Sequence, residues 1–161
     1  MKNILKYLRR IKDLFLIFRG DFELRIEEYT DSDFISDLDN RISTSGYVFA
    51  CNGSAVSWKS FKQPIIADLT IEAEYVAASN AAEKSFWFKK FIVKLVKIIS
   101  DAILLYCDNN ETIALAKKLK SHQKFKHIEQ RFHIIHDYLK KKYVEMQKVD
   151  SIDNMTDLLI K

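Results

Sequence analysis

The stretch 102–110 contains an apolar run, typical of a strand, that ends in an aspartate. A carboxylate in this position is a candidate for a catalytic or ligand-binding role. Residues 102–107 are apolar at both alternating positions, which is typical of a central strand covered on both faces. The run ends at Asp108, and Asn109-Asn110 has the composition of a helix start. In open α/β sheets, ligands bind where strands end and helices begin. Asp108 is therefore a candidate site residue; an aspartate that simply begins a turn is the alternative.

A second acid, Glu74, occupies an unusual position for a charge. The sequence from 68 to 96 predicts a long helix, and the face that carries Glu74 otherwise holds small or apolar residues, which let a helix lie close to a sheet: Ala77, Ala78, Ala81, Ser85 and Phe88. An unpaired carboxylate there would cost several kcal/mol. We therefore expect a cation or a hydrogen-bond donor beside Glu74, whereas Glu72 and Glu83 are predicted to be exposed.

The composition indicates one globular domain with a real core. The chain has 161 residues, of which 48% are hydrophobic and 30% charged, and its three Gly and one Pro leave little room for linkers or low-complexity segments. The formal net charge of +4 is compatible with a polyanionic partner but does not require one.

Two cysteines and four histidines provide no metal-binding motif of their own. Cys51 and Cys107 lie in apolar surroundings, which predicts reduced, buried thiols in an intracellular protein and no disulfide framework. His133 and His136 are three residues apart on a predicted helix, but no further Cys or His follows at zinc-ligand spacing. Surface or packing roles are favoured for the histidines.

The segment 1–20 predicts an amphipathic basic helix. Its apolar residues recur at helical spacing, at Ile4, Leu5, Leu8, Ile11, Phe15 and Phe18. The apolar run is too short to span a membrane. A helix that docks or packs is favoured over a targeting segment.

The remaining elements can be placed in order. Strands are predicted over 22–31, 46–51 and 55–58, which favours an antiparallel meander in which Asp31 and Asp33 close the first strand. Helices are predicted over 110–120 and 128–142, a strand over 143–149, and a short helix from 153. The connector 117–127 holds five lysines and one Phe, a pattern that fits either a nucleic-acid backbone or a solvated loop.

Several motifs in this order resemble the ribonuclease H domain of copia-type retrotransposon polyproteins. The motifs that carry the resemblance are Tyr29-Thr30-Asp31, Gly46-Tyr47-Val48-Phe49, Glu72-Ala73-Glu74-Tyr75, Tyr106-Cys107-Asp108-Asn109, Lys126-His127-Ile128 and Asp157-Leu158-Leu159. The resemblance implies an α/β fold with a mixed five-stranded sheet flanked by helices. It also implies that 21–161 is a ribonuclease H-like domain shortened at its C-terminus, and that 1–20 is similar to the tail of a preceding reverse transcriptase.

The same resemblance implies the site. Four carboxylates would be both catalytic and metal-holding: Asp31, Glu74, Asp108 and Asp157. The metal would be Mg²⁺, with Mn²⁺ as a substitute, and the substrate the RNA strand of an RNA–DNA hybrid. The implied contacts with nucleic acid are Lys59, Lys62, Gln63, Asn109, Lys126 and His127. An upstream reverse transcriptase is the implied protein partner, and no membrane is involved.

The chemistry explains why clustered acids would be needed. Hydrolysis of a phosphodiester requires an activated water and a stabilised leaving oxygen, and two divalent ions held by hard oxygen ligands can provide both. Some positions depart from the family, among them Glu28, where a Gly is usual, and Met155-Thr156, where Leu-Ala is usual. An inactive relic that binds nucleic acid without cleaving it is therefore an alternative, as is a structural α/β domain whose acids are surface charges.

Overall fold

A computed structural model describes residues 2–15, 17, 24–96, 102–118 and 129–160. Its strands are β1 (Ile26–Asp37), β2 (Ile42–Cys51), β3 (Ser54–Lys62), β4 (Ile103–Cys107) and β5 (Val144–Lys148). They form a five-stranded sheet in the order β3-β2-β1-β4-β5. The pairs β1·β2 and β2·β3 are antiparallel, whereas β1·β4 and β4·β5 are parallel. The predicted mixed sheet and its antiparallel meander are confirmed.

The helices within the described residues cover this sheet. They are α1 (Lys2–Arg10), α2 (Thr70–Val96), α3 (Asn110–Lys117), α4 (Glu129–Lys140) and α5 (Asp157–Ile160), with a short 3-10 helix over Ser151–Asp153. The core joins α2 and α4 to the inner face of the sheet, through side chains such as Tyr75, Leu105, Ile135 and Met146. The predicted long helix is therefore confirmed almost to its bounds.

The close contact between α2 and the sheet follows from its small residues. Ala78, Ala81 and Ser85 are each fully buried, so the helix backbone lies near the strands without a gap. This is the contact that the small-residue face predicts, and it brings the start of α2 to one edge of the sheet.

Glu28 is an ionisable side chain inside this contact. It lies on β1, opposite Phe49 of β2 and Leu105 of β4, and none of its surface is exposed. The Ser85 hydroxyl donates a hydrogen bond to Oε2, while Oε1 has no partner among the described residues. Burial raises the pKa of Glu28 well above its ordinary value, which favours the neutral form of this carboxyl group.

The first strand is longer than the sequence predicts. We expect Asp31 and Asp33 to close it, but β1 continues to Asp37 and Asp31 lies in its interior. The prediction is wrong because pairing with β2 runs on through Asp33 opposite Thr44, before an irregularity that includes a positive φ at Ile35. Pairing with β2 therefore extends the first strand beyond the end that its local sequence predicts.

Two predictions of exposure and burial are also wrong. Glu72 is 2% exposed, and its carboxylate accepts a hydrogen bond from the Asp68 amide at 2.7 Å, so that it satisfies a backbone donor before α2 begins. Cys51 is partly exposed, because it lies at the end of β2, whereas Cys107 is fully buried. Both cysteines are free thiols.

The helix α1 does not pack on the rest of the described chain. It ends at Arg10, and its apolar residues Ile4, Leu5 and Leu8 are 51–63% exposed. The packing alternative is therefore wrong for these residues, and docking to a partner stays a prediction. No described helix has the length and apolar character that crossing a membrane requires. The expected positions of Phe18, Phe22 and most of the basic connector lie outside the described residues.

Candidate active site

Asp108 lies immediately after β4, where the strand ends, as its pattern predicts. The Ser151 hydroxyl donates a hydrogen bond to Asp108 Oδ2 at 2.7 Å, and the Lys148 ammonium donates to the Asp108 carbonyl. The next residue, Asn109, caps α3 by accepting hydrogen bonds from the amides of Glu111 and Thr112. The carboxylate is thus fixed between the end of β5 and the start of α3.

Glu74 reaches the same edge of the sheet from the start of α2. It is 6% exposed, and Oε2 has no hydrogen-bond partner among the described residues. Donor atoms of Glu74, Cys107 and Asp108 all lie within 4.8 Å of one another. A buried carboxylate oxygen without a donor, placed beside a second carboxylate, is the arrangement that a divalent cation would satisfy.

The electrostatics of Glu74 support the same interpretation. Burial, together with the charges of Asp31 and Asp108, raises the pKa of Glu74 to about 8. At neutral pH the group is therefore mostly protonated unless a cation lies beside it. Burial also raises the pKa of the Cys107 thiol to about 12, and the charges of the same three acids add to that effect. The charges of Asp31 and Asp108 thus both act on Glu74.

Asp31 approaches this cluster from β1. Its side chain is 6% exposed, and Oδ1 accepts a hydrogen bond from the Ser32 amide at 2.8 Å. In the antiparallel register it lies opposite Gly46 of β2. Asp31 does not belong to the group whose donor atoms lie within 4.8 Å of one another. Its charge nevertheless contributes to the raised pKa values of Glu74 and Cys107.

Asp157 is half-buried at the first position of α5. The segment before it is anchored on β1, because the Asn154 side-chain amide donates to the Thr30 carbonyl at 3.1 Å. The same segment packs on β2 at Gly46, beside the backbone that carries Asp31. Asp157 is not part of the Glu74–Cys107–Asp108 group, and its role in the site stays a prediction.

Gly46 is required at this contact, and we expect Gly46→Ala to destabilise the protein by about 1–3 kcal/mol. A Cβ at this position would lie 2.6 Å from methyl carbons of both Thr156 and Ile160, so that α5 must move away. Urea unfolding measures the loss. In the double variant with Ile160→Ala the two costs should not add, because one clash is removed; strictly additive costs would contradict the contact.

The predicted nucleic-acid contacts fall into distinct groups. Lys59 and Lys62 are exposed on the edge strand β3, and Lys62 forms an ion pair with Asp37, whose pKa it lowers to about 2. Asn109 uses its side-chain oxygen to cap α3. Lys126 and His127 lie outside the described residues.

Among the described residues of this set, Gln63 is the one that lies inside the protein. It is 2% exposed, and its amide nitrogen donates to the Ser45 hydroxyl at 2.8 Å and to the Ala73 carbonyl at 2.9 Å. The expected direct contact with nucleic acid is therefore not met. Gln63 instead ties the end of β3 to the turn of α2 that carries Glu74, because Ala73 immediately precedes it.

We accordingly expect Gln63→Ala to lower the free energy of unfolding by about 1–3 kcal/mol, since two buried hydrogen-bonding partners lose their donor. Chemical unfolding measures this change, and the exposed variant Lys59→Ala, which should leave stability within about 0.5 kcal/mol, is the control. Reduced affinity for nucleic acid with unchanged stability would instead restore the surface role of Gln63.

Sequence reasoning missed two neighbours of Asp108. Cys107 could have been suspected because it directly precedes Asp108. Its position in the alternation of the strand, however, indicates only that its side chain is buried. Ser151 carries no sequence signal, because it reaches Asp108 only through the parallel pairing of β4 and β5.

Solved structures that resemble this chain identify its fold class. No family model matches the chain. The crystal structure of LC11-RNase H1 in complex with an RNA/DNA hybrid superposes with a TM-score of 0.60 at 16% sequence identity, covering 84% of this chain and 94% of that one. The mixed sheet with its flanking helices is thus a ribonuclease H fold.

Proteins with similar sequences identify the homologues of this chain. The chain is 35% identical over all 161 residues to the retrovirus-related Pol polyprotein from transposon TNT 1-94 of Nicotiana tabacum, and 27% identical over the same length to that from transposon RE2 of Arabidopsis thaliana. It spans 12% and 11% of their lengths. Its homologues are therefore retrovirus-related Pol polyproteins from transposons, matched across the full chain.

Proposed function

We propose that this chain hydrolyses the RNA strand of RNA–DNA hybrids as the ribonuclease H part of a copia-type retrotransposon polyprotein. The observation that supports this most is the Glu74 carboxylate, which is buried with one oxygen that has no donor among the described residues, next to the charges of Asp31 and Asp108. In a purely structural role, the burial of that oxygen would be costly.

The donor set fits Mg²⁺, or Mn²⁺ in its place, since carboxylate oxygens are the ligands that these ions prefer. When bound, a pair of such ions would activate the attacking water and stabilise the leaving oxygen of the phosphodiester. In this proposal Asp31 and Asp108 hold metal directly, and Glu74 helps to hold the ion nearer the leaving group. Asp157 is assigned to the side of the nucleophile.

The protein supplies orientation as well as ligands. Ser151 donates to one oxygen of Asp108, which fixes the rotation of the carboxylate and leaves the other oxygen for metal. The Ser32 amide donates to Oδ1 of Asp31 and so helps to orient that carboxylate. Because these donors sit on elements of the sheet and its edge, the site is positioned before any ligand arrives.

The choice of substrate rests on the relatives and on the surface charge. The structure of LC11-RNase H1 holds an RNA/DNA hybrid. In this chain the exposed Lys59 and Lys62 on β3 provide positive charge for a phosphate backbone, in a protein whose net charge is +4. A hybrid can be distinguished from DNA by contacts to 2′-hydroxyl groups across the wide minor groove.

The direct test uses hybrids labelled on either the RNA or the DNA strand, incubated with the purified protein in Mg²⁺. We expect cleavage of the RNA strand alone, and none in single-stranded RNA or duplex DNA. Hybrid binding without any cleavage would favour the inactive relic, and cleavage of the DNA strand would contradict the proposed substrate.

A further inference from the structure

The thiol of Cys107 lies next to the carboxylates of Glu74 and Asp108. The three groups place their donor atoms within 4.8 Å of one another. The thiol faces α2, because Ile103, Leu105 and Cys107 alternate on the buried face of β4. Its present hydrogen bond is weak, a 3.9 Å contact to the Asn109 carbonyl.

Glu74 indicates independently that a ligand belongs at this point. Its side chain is 94% buried, and Oε2 has no hydrogen-bond partner among the described residues. The sulfur and the unsatisfied oxygen come from different elements, β4 and α2, and are not brought together by chain proximity. A cation between them would satisfy the oxygen and use the sulfur as a third donor.

The donor types decide which cation prefers the site. A thiolate is a soft ligand that selects Zn²⁺ and related thiophilic ions over Mg²⁺, which takes oxygen ligands. Zinc binds sulfur at about 2.3 Å and carboxylate oxygen at about 2.0–2.2 Å, usually with four ligands. The present spread of 4.8 Å requires the donors to close by roughly 1 Å, a side-chain movement, and water would complete the coordination.

We propose that Glu74, Cys107 and Asp108 form a binding site for a thiophilic divalent ion such as Zn²⁺ or Cd²⁺, which competes with Mg²⁺ for the two carboxylates. A metal–sulfur bond forms as the thiol proton leaves to solvent. Since both carboxylates would be occupied by the wrong ion, hybrid cleavage should fall when such an ion is present. The competition with Mg²⁺ rests on the proposed function; the thiol site itself does not.

The test is a Cd²⁺ titration read by the sulfur-to-metal charge-transfer absorption in the ultraviolet. The starting protein is the Cys51→Ser variant, in which Cys107 is the sole thiol, kept reduced with a phosphine. We expect a saturable band with one ion per chain, and no band after Cys107→Ser. A band that persists without Cys107, or no band in the starting protein, would overturn the proposal.

A second variant keeps the result interpretable if Cys107→Ser folds poorly. Glu74→Gln retains the thiol and should keep the band while weakening Cd²⁺ binding by about tenfold or more, since a direct ligand loses its charge and even partners outside the ligand shell typically contribute that much. Unchanged affinity in Glu74→Gln would overturn the three-residue site.

The cleavage assay separates the two proposals. If the protein cleaves the hybrid in Mg²⁺, the Cys107→Ser variant should need at least about ten times more Cd²⁺ for half-inhibition. Equal sensitivity would contradict competition at this site. A protein that shows the band but never cleaves a hybrid would refute the proposed function and leave the thiophilic site standing.

Discussion

Asp108→Asn should abolish RNA-strand cleavage, with a loss of at least about 100-fold in rate, or about 2.7 kcal/mol of transition-state stabilisation. The asparagine keeps the size of the side chain and can still accept the hydrogen bond from Ser151, so that the fold and the end of β4 are retained. What it removes is a charge that a divalent ion requires. Single-turnover cleavage of a labelled hybrid measures the effect.

The matched control for this variant is Glu145→Gln, an acid-to-amide change at an exposed position on the edge strand β5. It should leave the rate within about twofold, since it lies away from the three interacting acids and surface changes are usually near neutral. Equal rates for Asp108→Asn and the wild type would remove Asp108 from the catalytic set.

Glu28→Gln should make the protein more stable at high pH and flatten the dependence of its stability on pH. Burial raises the pKa of Glu28 in the folded state above its ordinary value of 4.5, so the folded state binds more protons than the unfolded one above that pH. The stability is fully present below pH 4.5 and is lost as pH rises towards the raised pKa, by up to about 1.4 kcal/mol per pH unit.

Urea unfolding in chelator, at several pH values from about 5 to 8, measures both slopes. Glutamine is neutral throughout and still accepts the hydrogen bond from Ser85, so only the titration is removed. Because Glu74 also carries a raised pKa, the informative quantity is the difference between the slopes of variant and wild type. Identical slopes would show that Glu28 does not titrate with folding.

Local patterns were sufficient to predict the framework of the site. The apolar run before Asp108 predicted a central strand and its end. One face of β4 is buried as expected, whereas Leu104 and Tyr106 on the other face are only half-buried. The small-residue face of α2 predicted both the contact with the sheet and the burial of Glu74, since a helix has only one stripe that can meet a flat surface.

Long-range contacts account for most of what the sequence could not predict. Glu72 is the exception, because its carboxylate accepts a hydrogen bond from the Asp68 amide only four residues earlier, a local contact at the start of α2. Gln63 looks like a surface amide next to a proline, yet it reaches into α2. Ser151 meets Asp108 only because β5 pairs in parallel with β4. The contacts of Gln63 and Ser151 depend on tertiary pairing that no local spacing encodes.

The assignment of Asp31 and Asp157 drew on resemblance more than on pattern. Asp31 lies in the interior of β1, and its charge contributes to the raised pKa of Glu74, which links it to the cluster. For Asp157 the structure adds the packing of α5 at Gly46.

The chemical ends of the cleaved RNA test the central claim most directly. If a water held by the carboxylate cluster attacks the phosphodiester, each cut leaves an ordinary phosphate monoester and a free hydroxyl, only when Mg²⁺ is present, and none with Asp108→Asn. Fragments ending in a 2′,3′-cyclic phosphate would mean that the RNA 2′-hydroxyl is the nucleophile, and cutting that continues in chelator would mean that no metal ion is required. Either result would contradict a metal-dependent ribonuclease H site at Asp31, Glu74 and Asp108.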